Sequence, residues 1–421
     1  MQRIELDNGL RLLLLPEAAA RVFTLDVWLS VGSRYEEGYP AGIAHLTEHM
    51  LFKGTARRTS RQISEEIDNM GGVMNAYTGQ EYTRYYIQTL GEYAPQAVDL
   101  LTDMLLHAAI PEKELEAERR VVLEEIAMYE DSAEDLAHDS LVEHVWQGDP
   151  LGTPISGTPQ SVMAIDGITL HRFLQENYTA DRMTVVCAGD FDPVAMEALL
   201  RRALGGLSKG RGLQTGAPPV FHHGVVCRRK DFEQVSLELG FRGLPTGDAD
   251  RFALSLLTAI VGGGESSRLY QRLREELGLT YGIFAANYDN HGAGLYAVCA
   301  SVSPENQQQA LLEIGREIRR LVEEGVSEEE LRRTKAHAKI SLLMSQETVA
   351  ARAARVGRGE VVMGRQTSVD EVLARWDSLQ AADLQALARR LFGNVPALAA
   401  VGPVATREEY AQWLQEAFGG K

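Results

Sequence analysis

The chain is organised around one stretch, Gly42-Ile43-Ala44-His45-Leu46-Thr47-Glu48-His49-Met50-Leu51-Phe52. This stretch has no proline and no interior glycine, and it is apolar on nearly every side, which predicts a buried helix. His45 and His49 are four residues apart, so both rings lie on one helix face with their Cβ atoms about 6 Å apart. Both imidazoles can therefore bind one Zn²⁺ ion, for which the metal–nitrogen distance is about 2.0–2.1 Å.

Glu48 lies on the same face of the predicted helix, three residues after His45. From there its carboxylate can take a proton from a water molecule on the metal without binding the metal itself. The alternative is a pair of core histidines with no catalytic role. The choice between the two depends on whether the chain supplies a third ligand.

Length and composition limit the classes of protein to consider. The 421 residues are too many for one typical core and predict two or more domains. The net charge of −17 argues against nucleic acid as a partner, and no apolar run is long enough to span a membrane. The N-terminus lacks the basic-then-apolar order of a signal peptide. Cys187, Cys227 and Cys299 lie far apart in apolar runs, which is typical of buried thiols. We therefore expect a cytoplasmic protein.

Pairs of predicted antiparallel strands occur together with long helices, which is typical of an α+β fold. Three of the predicted elements are a helix over 159–177, a strand over 220–228 and a helix over 266–277. A glycine- and proline-rich linker at 208–219 separates a first domain, 1–207, from a second, 220–421, in which the order of elements returns. Residues 110–115 and 326–331 align at an offset of 216, so we infer a tandem duplication.

The third ligand is expected on a helix predicted over 111–129. The buried stripe of this helix consists of Leu115, Val122, Ile126 and Tyr129. Glu118 and Glu125 flank the stripe on one side, two turns apart, and point inward. They are either a pair of salt-bridged glutamates or a ligand, Glu125, with Glu118 beside it. The second domain has Thr334 and Ser341 at the equivalent positions and no His-x-x-Glu-His. The acids are thus missing where the histidines are missing, which favours the metal site.

A His-x-x-Glu-His followed by a glutamate 76 residues later resembles the pitrilysin family of zinc metallopeptidases. This family includes insulin-degrading enzyme and mitochondrial processing peptidase. The resemblance implies one Zn²⁺ per chain bound by His45, His49 and Glu125, with Glu48 as general base and Glu118 as an additional acid. It also implies two duplicated domains, each a mostly antiparallel sheet packed with helices, that form half of a clamshell.

The resemblance extends to residues outside the metal motif. Asn75, Ala76 and Tyr77 match the edge strand that pairs with an extended peptide substrate. Arg274 and Tyr281 match an Arg-Tyr pair that helps to hold the peptide carbonyl. The chain length matches subunits that dimerise, which implies a homodimer or a heterodimer with a related subunit.

The function implied is a zinc endopeptidase that hydrolyses unfolded or extended peptides through activated water. One alternative is a non-catalytic subunit of the same fold, and another is a peptide-binding module with a structural zinc. The chain retains every residue of the family motif, and no fourth protein ligand is evident, so the endopeptidase is the favoured interpretation.

Overall fold

The computed structural model describes residues 1–212 and 216–419. Its strands are β1 (Gln2–Glu5), β2 (Arg11–Pro16), β3 (Val22–Leu29), β4 (Val73–Thr78), β5 (Thr83–Leu90), β6 (Met183–Gly189), β7 (Val225–Arg229), β8 (Val235–Arg242), β9 (Thr280–Asn290), β10 (Ala293–Val302) and β11 (Ala397–Gly402). Its helices are α1 (Ile43–Leu51), α2 (Ser60–Asn69), α3 (Ala94–His107), α4 (Glu112–Glu130), α5 (Ala133–Val145), α6 (Pro159–Met163), α7 (Gly167–Asn177), α8 (Pro193–Leu204), α9 (Arg251–Gly262), α10 (Gln307–Glu324), α11 (Glu328–Met344), α12 (Val349–Met363), α13 (Val369–Ser378), α14 (Ala381–Leu391) and α15 (Arg407–Phe418).

The chain forms two compact units that do not coincide with the sequence halves 1–207 and 220–421. Unit 1 consists of Met1–Ile126, Thr153–Thr215 and Met344–Gln366, and unit 2 consists of Ala127–Gly152, Gly216–Leu343 and Thr367–Lys421. Helix α5 therefore belongs to unit 2 although it precedes the predicted linker, and helix α12 belongs to unit 1 although it follows it. Each unit takes one helix from the other half of the chain.

Unit 1 contains a six-stranded sheet in the order β1-β2-β6-β3-β5-β4. Its strand pairs are antiparallel except for β2 and β6. One sheet face packs on α1 and α3 within the main core, to which α1 contributes the fully buried Ile43, Leu46 and Met50. Each such side chain stabilises the fold by about 1.5–3 kcal/mol. The apolar sides of α1 thus fix its rotation, and the remaining face carries His45 and His49.

Unit 2 contains a five-stranded sheet in the order β7-β11-β8-β10-β9. This order repeats β2-β6-β3-β5-β4 strand for strand, and the single parallel pair, β7 with β11, recurs in the equivalent place. The α+β class and the tandem duplication predicted from the sequence are confirmed by this match.

Three predicted elements differ in the structure. The helix predicted over 159–177 is interrupted, because the Asp166 carboxylate accepts a hydrogen bond from the Thr169 N–H at 2.8 Å and starts α7 as a new helix. The strand predicted from residue 220 begins only at Val225. The segment predicted as an ordinary helix over 266–277 is π-helical over Tyr270–Glu276. Local insertions of this kind often mark functional positions.

Part of the predicted linker 208–219 is fixed to unit 1, because the Asp181 carboxylate accepts the N–H groups of Gly210 and Gly212 at 2.9 and 3.0 Å. Residues 213–215 of that linker lie outside the described residues. No helix among the described residues is both long and apolar enough to cross a membrane.

Candidate metal centre

The predicted helix face of α1 carries both histidines, with ring centroids 4.7 Å apart. On the other helix, α4, Leu115 and Val122 are fully buried and Glu118 is 6% exposed, as the periodicity predicts. The prediction for Tyr129 is wrong, because this residue is 47% exposed. The buried stripe of α4 ends near Ile126, where the part of the helix that belongs to unit 1 also ends.

The structure brings His45, His49 and Glu125 together. Oε2 of Glu125 lies 3.8 Å from Nε2 of His45 and 3.7 Å from Nε2 of His49, and one ligand atom from each residue lies within 4.8 Å of the others. Around a tetrahedral ion at about 2.0–2.1 Å, neighbouring ligand atoms are about 3.3 Å apart. The two imidazoles and the carboxylate are the ligand types that zinc prefers, and the two separations from Glu125 exceed the tetrahedral value by about 0.4–0.5 Å.

The protonation of His45 suits a metal ligand. Burial, with a smaller contribution from the neighbouring His49, lowers the pKa of His45 to about 4. The ring is therefore neutral at pH 7, which is the form that offers a nitrogen lone pair to a metal. Its Nδ1 atom is buried, and no hydrogen-bond partner for it is found in residues 1–212 and 216–419.

A second layer of contacts orients His49. Nδ1 of His49 lies 3.0 Å from Oε2 of Glu118, whose Oε1 lies 2.7 Å from Nζ of Lys53. A carboxylate beside Nδ1 favours the tautomer with the proton on that atom, so Nε2 keeps its lone pair for the metal. Lys53 offsets the charge of the buried Glu118. The contribution of Lys53 was missed from the sequence, since nothing in the periodicity points to a residue just beyond the helix end.

Glu48 lies on the same helix as the histidines but outside the group of convergent ligand atoms. Its Oε2 accepts a hydrogen bond of 2.5 Å from the Thr78 hydroxyl. Burial raises the pKa of Glu48, while the Thr78 hydrogen bond and the neighbouring His49 act in the opposite direction. A raised pKa suits a general base that works near neutral pH.

The start of α1 is held by a residue that the sequence analysis did not single out. Both oxygens of the buried Glu36 carboxylate accept backbone N–H groups, from Gly42 at 2.9 Å and from Ala44 at 2.8 Å. These N–H groups have no partner within the helix, and the positive end of the helix dipole favours an acceptor there. Burial raises the pKa of Glu36 to about 8, and the two hydrogen bonds oppose that rise.

Strand β4 is the last strand in its sheet and pairs with β5 alone among the described residues. Asn75 and Tyr77 are exposed on it, and the Ala76 N–H donates a 2.8 Å hydrogen bond to the Asn75 side chain. The predicted substrate strand thus has one free edge. Its role in substrate binding stays a prediction.

Arg274 and Tyr281 lie in unit 2, whereas the other predicted site residues lie in unit 1. The structure brings these two together, since Arg274 Nη1 donates to the Tyr281 carbonyl at 2.6 Å and the guanidinium lies 5.1 Å from the Tyr281 ring. The π-helical segment also places Tyr270, whose ring lies 5.1 Å from the same guanidinium. Tyr281 is 76% exposed, at a bulge where β9 slips by one residue against β10.

Comparison with known proteins adds a family context. A model described as insulinase (peptidase family M16) matches residues 12–159, and one described as peptidase M16 inactive domain matches residues 168–337. The chain is 34% identical to an uncharacterized zinc protease of Bacillus subtilis, over 96% of this chain and 98% of the relative. It is also 34% identical to an uncharacterized zinc protease of Streptomyces coelicolor, over 99% of this chain and 92% of the relative.

Solved structures share the fold. A peptidase M16 inactive domain from Pseudomonas fluorescens matches with a TM-score of 0.89 at 20% identity, over 96% of this chain and 98% of that chain. A protease from Helicobacter pylori matches with a TM-score of 0.88 at 22% identity, over 96% of this chain and 99% of that chain. At these identities the likeness concerns the fold alone.

Proposed function

The chain belongs to the insulinase family, peptidase family M16, and we propose that it is a zinc-dependent endopeptidase acting on unfolded or extended peptides. The observation that carries the proposal is the convergence of His45, His49 and Glu125, with Glu48 nearby but outside the ligand group. Structural zinc sites typically have four protein ligands, whereas three leave a position open for water. The arrangement therefore favours catalysis over a structural role for the metal.

The protein groups divide the chemical work. A zinc ion bound by the three side chains would lower the pKa of a water molecule at the open position and polarise the peptide carbonyl. Glu48 takes the proton from that water and later delivers it to the leaving amine. Glu118 holds the His49 ring in the tautomer that leaves Nε2 free, and Lys53 offsets the charge of Glu118.

The free edge of β4 is the proposed substrate site. An extended peptide can add to this edge through hydrogen bonds with the backbone of Asn75, Ala76 and Tyr77. Recognition through the backbone depends little on the side chains of the substrate. We therefore expect cleavage at many sequences and a preference for unfolded chains, in which the backbone is accessible.

We further propose that Arg274 and Tyr281 act on the zinc centre of a second subunit. Both side chains carry donors that can bind the carbonyl oxygen as negative charge develops on it. One chain contains the metal motif and the Arg-Tyr pair, so a homodimer with two equal sites is sufficient. A heterodimer with a related subunit is the alternative.

The function is tested with purified protein and a mixed peptide library analysed by mass spectrometry. We expect about one zinc per chain, cleavage that stops on chelation and returns with zinc, and cleavage reduced to a small residual rate in Glu48→Gln despite full zinc content. A wild-type protein that binds the peptides and zinc without cleaving them would instead be a non-catalytic subunit.

The shared site is tested by mixing two inactive variants, Glu48→Gln and Tyr281→Phe, under conditions in which subunits exchange. After complete exchange half of the dimers are mixed and each has one intact site, so we expect about a quarter of wild-type activity. Glu48→Gln mixed with His49→Ala is the matched control, because both changes affect the same set of residues and no intact site can form. Absence of recovery after demonstrated exchange would contradict the shared site.

A further inference from the structure

Thr78 is the last residue of β4, and its hydroxyl donates the 2.5 Å hydrogen bond to Oε2 of Glu48. We propose that Thr78 is a positioning residue, which holds the Glu48 carboxylate in the orientation for proton transfer. This inference rests on the proposed function, in which Glu48 is the general base. It adds a residue on the substrate strand to the groups that determine the rate.

The hydrogen bond engages only one of the two carboxylate oxygens. For Oε1 of Glu48, no hydrogen bond from the protein is found in the described parts of the chain. An ionised carboxylate has acceptor sites on both oxygens. Thr78 therefore immobilises the group through one oxygen and leaves the other to receive the proton.

Without this contact Glu48 would have more conformational freedom. Glutamate loses as much as about 1.5–2 kcal/mol of side-chain entropy when it is fixed, and its terminal torsion is broad. Helix α1 fixes the backbone of Glu48 but not the plane of its carboxylate. Proton transfer needs heavy-atom distances of about 2.6–3.2 Å, so a rotated carboxylate is a poor base.

Thr78 can hold Glu48 in place because several backbone contacts fix the position of Thr78 itself. It pairs with Thr83 across the strands β4 and β5. The next residue, Gly79, donates its N–H to the Tyr82 carbonyl at 2.8 Å and accepts the Ser33 N–H at 3.1 Å. These backbone hydrogen bonds fix the position of Thr78, and with it the starting point of its side chain.

The location also joins two functions in one strand. The free edge of β4 is where the peptide backbone is proposed to add, and Thr78 extends from that strand to the base. The backbone of β4 would then position both the carbonyl of the bond to be cleaved and the carboxylate of Glu48. Small misplacement between reacting groups is costly, since shifts near 1 Å can reduce rates about 100-fold.

The test compares Thr78→Val with Thr78→Ser. Valine keeps the shape and suits a strand but has no hydroxyl, whereas serine keeps the donor. For Thr78→Val we expect kcat to fall about 10–100-fold with zinc content unchanged and KM within about twofold of wild type. For Thr78→Ser we expect kcat within about threefold of wild type. If valine prevents folding, Thr78→Ala removes the same donor and replaces it in the comparison.

A double-mutant cycle separates positioning from a merely structural role. In a Glu48→Gln background, Thr78→Val should reduce the residual rate no further, because the contact acts through the carboxylate. Thr89→Val is the matched control, since the buried Thr89 hydroxyl donates to the Met70 carbonyl within the same unit, away from Glu48. That control is expected to lower stability and leave kcat unchanged.

Each outcome bears on a distinct statement. A wild-type enzyme with no zinc-dependent cleavage would overturn the proposed function and this inference with it. An active wild type with an unimpaired Thr78→Val, or with equal loss in the valine and serine variants, would overturn the role of Thr78 alone. An additive loss in the Glu48→Gln background would assign Thr78 to structure.

Discussion

Each unit contains one helix from the other half of the chain, α12 in unit 1 and α5 in unit 2. We call the place where this helix packs on the sheet its seat. The large and the small side chain lie on opposite sides of the contact in the two seats. In unit 1 the sheet contributes Trp28, which packs against Gly357 of α12, and a Cβ on that glycine would lie 2.1 Å from the indole nitrogen. In unit 2 the sheet contributes Gly240, and a Cβ there would lie 3.0 Å from the side chain of Leu141 on α5. Leu141 and Gly357 are 216 residues apart, the offset of the duplication. The large and small partners have thus exchanged places.

The two units also differ in which element supplies the partner of a buried acid, the sheet in unit 1 and the helix in unit 2. In unit 1, Asp26 on β3 is paired within the sheet by Arg84, with Nη2 2.7 Å from Oδ2. In unit 2, Glu238 on β8 is paired by His138 of α5 at 2.9 Å. The position of Arg84 is taken by Ala297 in unit 2, since these residues pair with Trp28 and Gly240 respectively.

This difference teaches which helix fits which sheet. Leu141 placed against Trp28 would overlap it, whereas Gly357 placed against Gly240 would leave a void, and both errors destabilise a core. Ala354 is the residue of α12 at the position of His138, so α12 has no side chain there to pair with Glu238. Each helix is complementary to the sheet on which it lies and unsuited to the other.

The largest expected effect concerns the chemistry that only the first repeat carries. We expect His49→Ala to lose zinc and all measurable cleavage, because one of three ligands is removed. Ser341→Ala is the matched control, as Ser341 occupies the place of Glu125 in the helix of the second repeat. It should keep zinc and activity. Full zinc in His49→Ala by metal analysis would contradict the ligand assignment.

The next effect breaks the size comparison. In Gly357→Ala the added methyl group would overlap the fully buried Trp28. We expect the free energy of unfolding to fall by about 3 kcal/mol, at the upper end for overpacking. In Gly240→Ala the atoms nearest to the added methyl group are the flexible ends of the Leu141 and Leu295 side chains. We therefore expect the free energy of unfolding to fall by about 1 kcal/mol. Chemical denaturation monitored by tryptophan fluorescence measures both. Equal losses would show that the two seats are equally tolerant.

A smaller effect concerns the residues behind the ligands. Glu118→Gln should weaken zinc binding about 10–100-fold, because the amide cannot replace the charged acceptor of His49 Nδ1. Thr334→Val, at the equivalent position of α11, is expected to leave zinc affinity unchanged. Competition with a fluorescent chelator measures both affinities, and an unaltered value for Glu118→Gln would remove this residue from the metal centre.

Much of this arrangement follows from local patterns. The helix spacing of His45, Glu48 and His49 places them on one face, and the periodicity of α4 turns Glu118 inward. The strand order of both sheets agrees with the duplication inferred from the sequence. Such features depend on residues within a few turns of one another, so periodicity is enough to find them.

Other features depend on contacts between distant residues. Thr78 reaches Glu48 across 30 positions, and Glu36 reaches the start of α1 from a preceding loop. The exchange of α5 and α12 could not be predicted, because a buried helical stripe fits a sheet face in either repeat. Its specificity lies in single pairs such as Trp28 with Gly357, which no periodicity reveals.

The smallest expected effect is a pH dependence confined to one seat. Burial by itself lowers the pKa of His138, but the hydrogen bond and charge of Glu238 outweigh it and, with Asp139 and Asp135, raise that pKa. The folded state then binds this proton more tightly than the unfolded state does. The resulting stabilisation is fully present below the unfolded value of about 6.5 and is lost as the pH rises through the raised value.

In unit 1 the acid at the position of Glu238 is Asp26, which loses its proton at a lower pH than His138 does. Burial raises the pKa of Asp26 to about 6, opposed by the charge and hydrogen bonds of Arg84. Its contribution also falls as the pH rises, but the change is nearly complete by about pH 7. Above about pH 7, therefore, the His138–Glu238 pair is the one of these two pairs that is expected to contribute less to holding its helix.

Hydrogen exchange of individual amides distinguishes the two seats. Over that range, protection factors of the α5 amides should fall in the wild type, while those of α12 stay constant. His138→Gln keeps a donor for Glu238 but does not titrate, so protection of α5 in this variant should be lower than in the wild type at pH 7 and independent of pH. A parallel fall of both helices in the wild type would show that His138 is not its source, because α12 has alanine at that position.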